Sequence, residues 1–466
     1  MQGSSRSEAK PTGTDPASAS LKRVIRSAAL GQFVEWYDFV VYAYSAAIIA
    51  KLFFPSDDPT AGILATFAVY AVGFLMRPIG AFVFGALGDK IGRRKILVTV
   101  ILIMGGATMA IGILPTYAQI GILAPILLII CRMVQGFSSA GETVGSNTFV
   151  AEHAPQGKRG RYVAFTYSFS AIPSVAVALL VMALINGLGQ VTYDQWAWRI
   201  PFLIGGPLAL VGLYIRWKVE ESPVFEEAKA ATGVVKNPIL EAGRTNRTAI
   251  MQTFALAAIS SLAFYTLSGY FVSYLTTGAG LPKDQALLSN GIALTIAFVF
   301  FWIGGGLSDK LGRRPVLLGA IVATIVLYLP AFWFAGFGTF WPALIGQSVI
   351  GMIFGIFWGA FGITMVELFP TRTRLSAATI SYNMGYTIFG GTAPLLATYL
   401  ISRTGVQASP GIYTMLVAIV VLIVVWKMPE TFKSDLVHDS DKESSLEISP
   451  ADLQPQLEAA PLEAQR

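Results

Sequence analysis

Charge is what this 466-residue chain has least of: only 13% of its residues are Asp, Glu, Lys or Arg, against about 25% in soluble domains. Cysteine is nearly missing. Cys131 stands alone, so no internal disulfide can form and no cysteine metal site can assemble. The two histidines, His153 and His438, fall outside the apolar runs, which excludes a histidine proton relay within them. No nucleophile–base constellation, metal cluster or phosphate loop appears, so neither an enzyme nor a cofactor is expected. Residues 1–20 are rich in Ser, Ala, Thr and Pro and lack the apolar stretch of a signal peptide.

What the chain has is apolar length. Hydrophobic residues make up 54% of it, in repeated runs of about 20, each enough to cross roughly 30 Å of hydrocarbon as a helix. Lipid offers the backbone no hydrogen-bond partner, so such runs must be helical. The spans read as 26–50, 62–86, 96–115, 120–150, 162–187 and 199–217, then 248–276, 286–307, 316–336, 340–367, 375–402 and 410–427. The net charge of +6 could suit nucleic acid, but the basic residues sit in the short links. The bilayer is therefore the expected partner, and nucleic acid is not. One set of links holds Lys22, Arg23, Arg26, Lys90, Arg93, Arg94, Lys95, Lys158, Arg159, Arg161, Lys310, Arg313, Arg314, Arg372 and Arg374; the other holds only Lys51, Arg199, Lys283 and Arg403. Positive charge accumulates on the cytoplasmic side, which predicts a cell-membrane protein with both termini inside.

A repeat organises the spans. Gly85-Ala-Leu-Gly-Asp89-Lys90-Ile-Gly92-Arg93-Arg94 follows the second, and Gly305-Gly-Leu-Ser-Asp309-Lys310-Leu-Gly312-Arg313-Arg314 follows the eighth. Glu152, Lys158 and Arg159 close the fourth much as Glu367, Arg372 and Arg374 close the tenth. The expected fold is an all-α membrane protein of twelve transmembrane helices, in two six-helix halves related by a pseudo-two-fold axis along the membrane normal. The divisions are a disordered N-tail (1–24), a first half (25–217), a polar central loop (218–247), a second half (248–427) and a disordered acidic C-tail (428–466).

The segment Gly85–Arg94 resembles the loop signature of the major facilitator superfamily, and Arg132-Met-Val-Gln135-Gly136 resembles its fourth-helix motif. Within it the chain resembles the metabolite:proton symporters, which include proline/betaine transporters and α-ketoglutarate permeases. The residues that carry this are Val34-Glu35-Trp36-Tyr37-Asp38-Phe39, Phe74-Leu-Met-Arg77-Pro78, Gly141-Glu142, Trp198-Arg199-Ile-Pro201-Phe202, Glu221-Ser222-Pro223 and Glu367-Leu-Phe369-Pro370. Thr143 stands where that family often has an aromatic residue. The resemblance implies secondary active transport by alternating access, with the proton as coupling ion and a small metabolite as cargo.

Ionisable side chains inside spans are costly, so each is a functional candidate. Glu35, Asp38 and Tyr42 share one helical face. A buried carboxylate without a cation can hold a proton, which makes Asp38, Glu35 and Glu142 the candidates for proton coupling. Arginine stays charged and can clasp a carboxylate, so Arg132 and Arg77 are expected to bind substrate. Tyr42, Tyr265, Trp358, Tyr382 and Asn383 are expected to add contacts, the aromatic faces suiting a cationic headgroup. The cargo is then an organic acid or a zwitterion such as proline or betaine, carried by a monomer. The duplicated Asp89, Arg93, Asp309 and Arg313, with Glu152 and Glu367 as partners, are expected to gate. A proton-coupled exporter of the same fold and a non-transporting nutrient sensor are the rival readings.

Overall fold

The computed structural model describes residues 16–56, 59–218, 246–371 and 373–432, with Glu221, Glu226, Glu241, Gly243, Arg244, Ser434 and Leu436. All regular structure among these residues is helical. The first half of the chain builds α1 (Pro16–Tyr44), α2 (Ala46–Phe53), α3 (Pro59–Ile91), α4 (Arg93–Ile113), α5 (Leu123–Ser139), α6 (Glu142–His153), α7 (Arg159–Ser168), α8 (Ile172–Leu188) and α9 (Arg199–Trp217). The second builds α10 (Arg247–Tyr265), α11 (Lys283–Leu311), α12 (Arg313–Ala335), α13 (Phe340–Glu367), α14 (Arg374–Gly385), α15 (Ala393–Thr404) and α16 (Ser409–Val425).

Among the described residues, nine helical stretches are long and apolar enough to cross a membrane. The other three expected spans are helical but fall short of that standard for different reasons. The first is divided at Ser45 and carries Glu35 and Asp38. The eleventh is interrupted between α14 and α15 by a π-type turn at Tyr386–Gly390. The last, α16, has 17 residues.

Several helices are broken within their length. The run Leu123–His153 is broken at Ala140 and Gly141, between α5 and α6. A second π-type turn, Thr266–Tyr270, follows α10. Such turns re-aim side chains and recur at functional sites. Small residues bring helices close beside them: a Cβ on Gly136 of α5 would collide with the Gly73 carbonyl of α3. This contact sets the helices bearing Arg77 and Arg132 side by side.

Two boundaries need correction. The first helix starts at Pro16 rather than near residue 26, and Val24 is fully buried; residues 1–15 of the expected N-tail lie outside the described ones. The C-tail is not loose from residue 428: Met428, Thr431 and Leu436 are buried against the rim of the bundle. The rest of that tail, and most of 218–247, lie outside the described residues.

Candidate functional site

Helical periodicity places Glu35, Asp38 and Tyr42 on one face of α1, and all three are buried. Asp38 Oδ1 accepts hydrogen bonds from Thr108 Oγ1 of α4 and Gln135 Nε2 of α5. Arg132 donates to Gln135 Oε1 at 2.9 Å, so Gln135 links the arginine to the aspartate. The Arg132 guanidinium lies over the rings of Tyr42 at 4.3 Å, Tyr70 at 5.1 Å and Phe39 at 5.4 Å. The Tyr42 hydroxyl donates to the Thr66 carbonyl at 3.1 Å. Tyr42, expected to touch substrate, lays its ring against Arg132 and gives its hydroxyl hydrogen to Thr66.

Glu35 Oε2 accepts from Thr143 Oγ1 at 2.7 Å, and Oε1 lies 3.9 Å from Arg77 Nη2. That separation is beyond hydrogen-bond range. Arg77 Nε and Nη2 are buried without a hydrogen-bond partner among the described residues. The guanidinium stacks on Phe39 at 4.6 Å and Phe74 at 4.8 Å. A buried guanidinium with idle donors is costly, and a carboxylate of the right size would satisfy it.

Aromatic rings from both halves meet at this depth. Phe74 packs edge-on to Tyr265 at 5.5 Å, Tyr167 lies 4.0 Å from Trp358, and Trp36 lies 4.6 Å from Phe264, centroid to centroid. Tyr382 stacks on Tyr386 at 4.2 Å, and its hydroxyl lies 3.4 Å from that of Tyr167. The indole N–H groups of Trp36 and Trp358 have no hydrogen-bond partner among the described residues. Asn383 donates to the Ala140 carbonyl at 3.0 Å, which ties α14 to the break between α5 and α6.

Glu142 sits apart from this cluster in its bonding. Arg216 of α9 grips both of its oxygens, Nη1 reaching Oε2 at 3.0 Å and Nη2 reaching Oε1, and Ser146 Oγ donates at 2.7 Å. A Cβ on Gly31 of α1 would collide with both partners. Arg216 was missed in the sequence because a basic residue at the inner end of a span reads as ordinary topology charge. Thr108 gave no signal at all.

The expected gating residues form two matching networks at one rim. Asp89 accepts from the amides of Leu375 at 3.2 Å and Ser376 at 2.8 Å, the first turn of α14 in the other half. Asp309 accepts from the amides of Gly160 at 2.9 Å and Arg161 at 2.7 Å, the first turn of α7, again across the halves. Each carboxylate thus caps orphan amides at the positive end of a helix. Arg93 lies 3.6 Å from Asp89 and 3.5 Å from Glu152, and Arg374 reaches Glu152 at 2.9 Å. Arg313 pairs with Asp309 at 2.7 Å and Glu367 at 3.0 Å. Gly92 and Gly312, with φ of 105° and 102°, make the turns that only glycine adopts readily.

A second layer backs each turn. Glu221 accepts from the amides of Arg93 and Arg94, and Glu430 from those of Arg313 and Arg314. Arg94 donates to the Trp217 carbonyl at 2.6 Å, and Arg314 to the Trp426 carbonyl at 2.7 Å. A sequence signal for this existed and went unread. Trp217-Lys218 precedes Glu221 with the same spacing as Trp426-Lys427 precedes Glu430.

The chain matches the Major Facilitator Superfamily over residues 28–381. It is 36% identical to the proline/betaine transporter of Salmonella typhimurium over 88% of this chain and 84% of that one. It is 33% identical to the ectoine/proline transporter of Corynebacterium glutamicum over 90% and 86%. A solved structure of the proton:xylose symporter XylE superposes with a TM-score of 0.76 at 18% identity, covering 90% of this chain and 98% of that one. The chain belongs to the major facilitator superfamily and has that superfamily's two-domain, multi-pass membrane transporter fold.

Proposed function

We propose that this protein is a proton-coupled symporter that imports a small zwitterion bearing a carboxylate and a quaternary or cyclic ammonium group. The observation that carries the proposal is the pairing of Arg77, whose Nε and Nη2 lack a hydrogen-bond partner among the described residues, with an aromatic wall drawn from both halves. The guanidinium would take the carboxylate through two parallel hydrogen bonds. The faces of Trp36, Tyr265, Trp358 and Tyr382 would take the cation. The names of the relatives, which are proline, betaine and ectoine transporters, support that cargo class.

In this reading Asp38 and Glu35 carry the coupling proton. Glu142 does not, because a bidentate partner and a hydroxyl already satisfy it; it is a structural tie between α6 and α9. Arg132, joined to Asp38 through Gln135, serves as its counter-charge, and its own Nε and Nη2, also without a partner among the described residues, make it a second candidate for the carboxylate. The twelve spans cross the cell membrane with both termini cytoplasmic, following the distribution of basic residues, and the protein works as a monomer. The networks at Asp89 and Asp309 then lie on the cytoplasmic side, where they hold that entrance shut. Their opening lets the halves rock about the central site.

Labelled glycine betaine and proline in proteoliposomes provide the test. An imposed inward proton gradient should drive accumulation, and a protonophore should abolish it. Accumulation that needs sodium and ignores the protonophore would refute the proposal, as would failure to carry either solute.

A further inference from the structure

A proton carrier must be tolerated both ionised and protonated, and one side chain beside Asp38 can serve both states. Thr108 Oγ1 donates to Asp38 Oδ1, yet it also lies 2.9 Å from the Met104 carbonyl one turn earlier in α4. A hydroxyl has one hydrogen and two lone pairs, so it can donate to one of these acceptors at a time. We propose that Thr108 is the positioning residue of the proton step, its hydroxyl exchanging acceptors as Asp38 gains and loses its proton. This rests on the reading of Asp38 as a proton carrier.

The hydrogen bonds of Asp38 Oδ1 close in both states, while Oδ2 is buried without a hydrogen-bond partner among the described residues. With Asp38 ionised, Thr108 Oγ1 and Gln135 Nε2 both donate to Oδ1. When a proton binds Oδ1, that O–H becomes a donor toward Thr108 Oγ1. The threonine hydrogen then rotates to the Met104 carbonyl. Gln135 Nε2, 3.1 Å from Thr108 Oγ1, donates to the remaining lone pair. The hydroxyl hydrogen has an acceptor in either state. That matters because Asp38, Thr108 and Gln135 are each 0–1% exposed and no water need enter. Arg132 can only donate, and Gln135 turns its Nε2 to Asp38 while its Oε1 accepts from Arg132 at 2.9 Å, so in this arrangement neither accepts from an acid. The titratable and charged groups facing Asp38 are Arg132 and Cys131 on α5, Arg77 and Tyr70 on α3, and Glu35 and Tyr37 on α1. None of the six hydrogen-bonds to the Met104 carbonyl, which takes the Thr108 hydroxyl at 2.9 Å, so the exchange belongs to Thr108.

The test uses the whole protein in proteoliposomes with labelled glycine betaine and proline. Net uptake under a proton gradient is compared with counterflow exchange at equal pH across the membrane. Thr108→Val keeps the shape and removes the hydroxyl. The ionised form loses the stronger, charge-assisted bond, so the pH of half-maximal net uptake should move up by about one unit. The ratio of net uptake to counterflow should fall about tenfold or more. Thr108→Ser should stay near the parent on both measures. A valine variant with the parent pH profile and ratio overturns the proposal, and so does a serine variant displaced as far as valine. If the valine variant loses counterflow as well, infrared difference spectra decide. The carboxylic-acid band that disappears in Asp38→Asn should shift in Thr108→Ala and return in Thr108→Ser, and an unmoved band overturns the proposal. The underlying reading fails separately: Asp38→Asn that still accumulates solute under the gradient removes Asp38 as carrier whatever Thr108 does.

Discussion

The two halves of the chain share a backbone plan and a rim, and they differ in what they place at the centre. The first half buries Glu35, Asp38, Arg77, Arg132, Glu142 and Arg216. The second presents Tyr265, Trp358, Tyr382, Tyr386 and Asn383, and between Met251 and Val366 its charged side chains are confined to Lys283, Asp284 and the loop motif at Asp309 to Arg314. Duplication preserved the charges at the rim, where each half must seal against the other. It did not preserve them at the centre. Burying a charge is costly wherever it is done, and in the proposed reading one charged half suffices for coupling. The other half is left to shape the cavity with rings and hydroxyls. In the proposed reading the proton is held by the first half alone and the substrate by groups from both, so substitutions of the coupling carboxylates and of the second-half rings should fail in different ways.

The largest effect is expected at Asp38. Asp38→Asn should abolish uphill uptake, by about 100-fold or more, while solute exchange continues; proton-gradient-driven uptake against counterflow checks it. Next is the Glu142–Arg216 tie. Glu142→Gln strands a buried guanidinium and should cost about 3–5 kcal/mol, whereas neutralising both partners should recover much of that. Melting temperature in detergent is the readout, and a double variant as unstable as the single would break the account. Arg77→Lys should weaken substrate binding by about 1.5–3 kcal/mol, the range for a hydrogen bond to a charged group, with little change in stability. Equal loss of affinity in Arg132→Lys would show that the two arginines have not divided their work. Asp89→Asn and Asp309→Asn should slow cycling to similar degrees and leave affinity within a few-fold, because the two carboxylates cap equivalent helices. A large difference between them would mean that the rim is not symmetric in function. The smallest effect is expected from Tyr382→Phe: affinity shifts of about two- to five-fold that differ between proline and glycine betaine.

The rim was legible in the sequence because its charges are duplicated at matched spacing, and Asp89 with Arg93 and Asp309 with Arg313 meet as that spacing implies. Glu35 and Asp38 were legible for a simpler reason, since a carboxylate in an apolar run has few bland explanations. The identities of their partners were not. Whether Arg132 faces Asp38 directly or through Gln135 depends on the rotation of α5 against α1, which is set by packing between distant helices. Thr143 drew notice only as a departure from a pattern, and its role as the donor to Glu35 required the break at Ala140 and Gly141 that turns α6. Arg216 hid among topology charges until the void beside Gly31 showed what filled it.

The most direct test of the division between the halves is the ratio of protons to substrate moved per cycle. Simultaneous pH and solute flux measurements in proteoliposomes give it for the parent, for Asp38→Asn and for Trp358→Phe. The account predicts that Trp358→Phe alters affinity but keeps the parent ratio, while the ratio for Asp38→Asn collapses. A changed ratio in the second-half variant, or an intact ratio in Asp38→Asn, would contradict it.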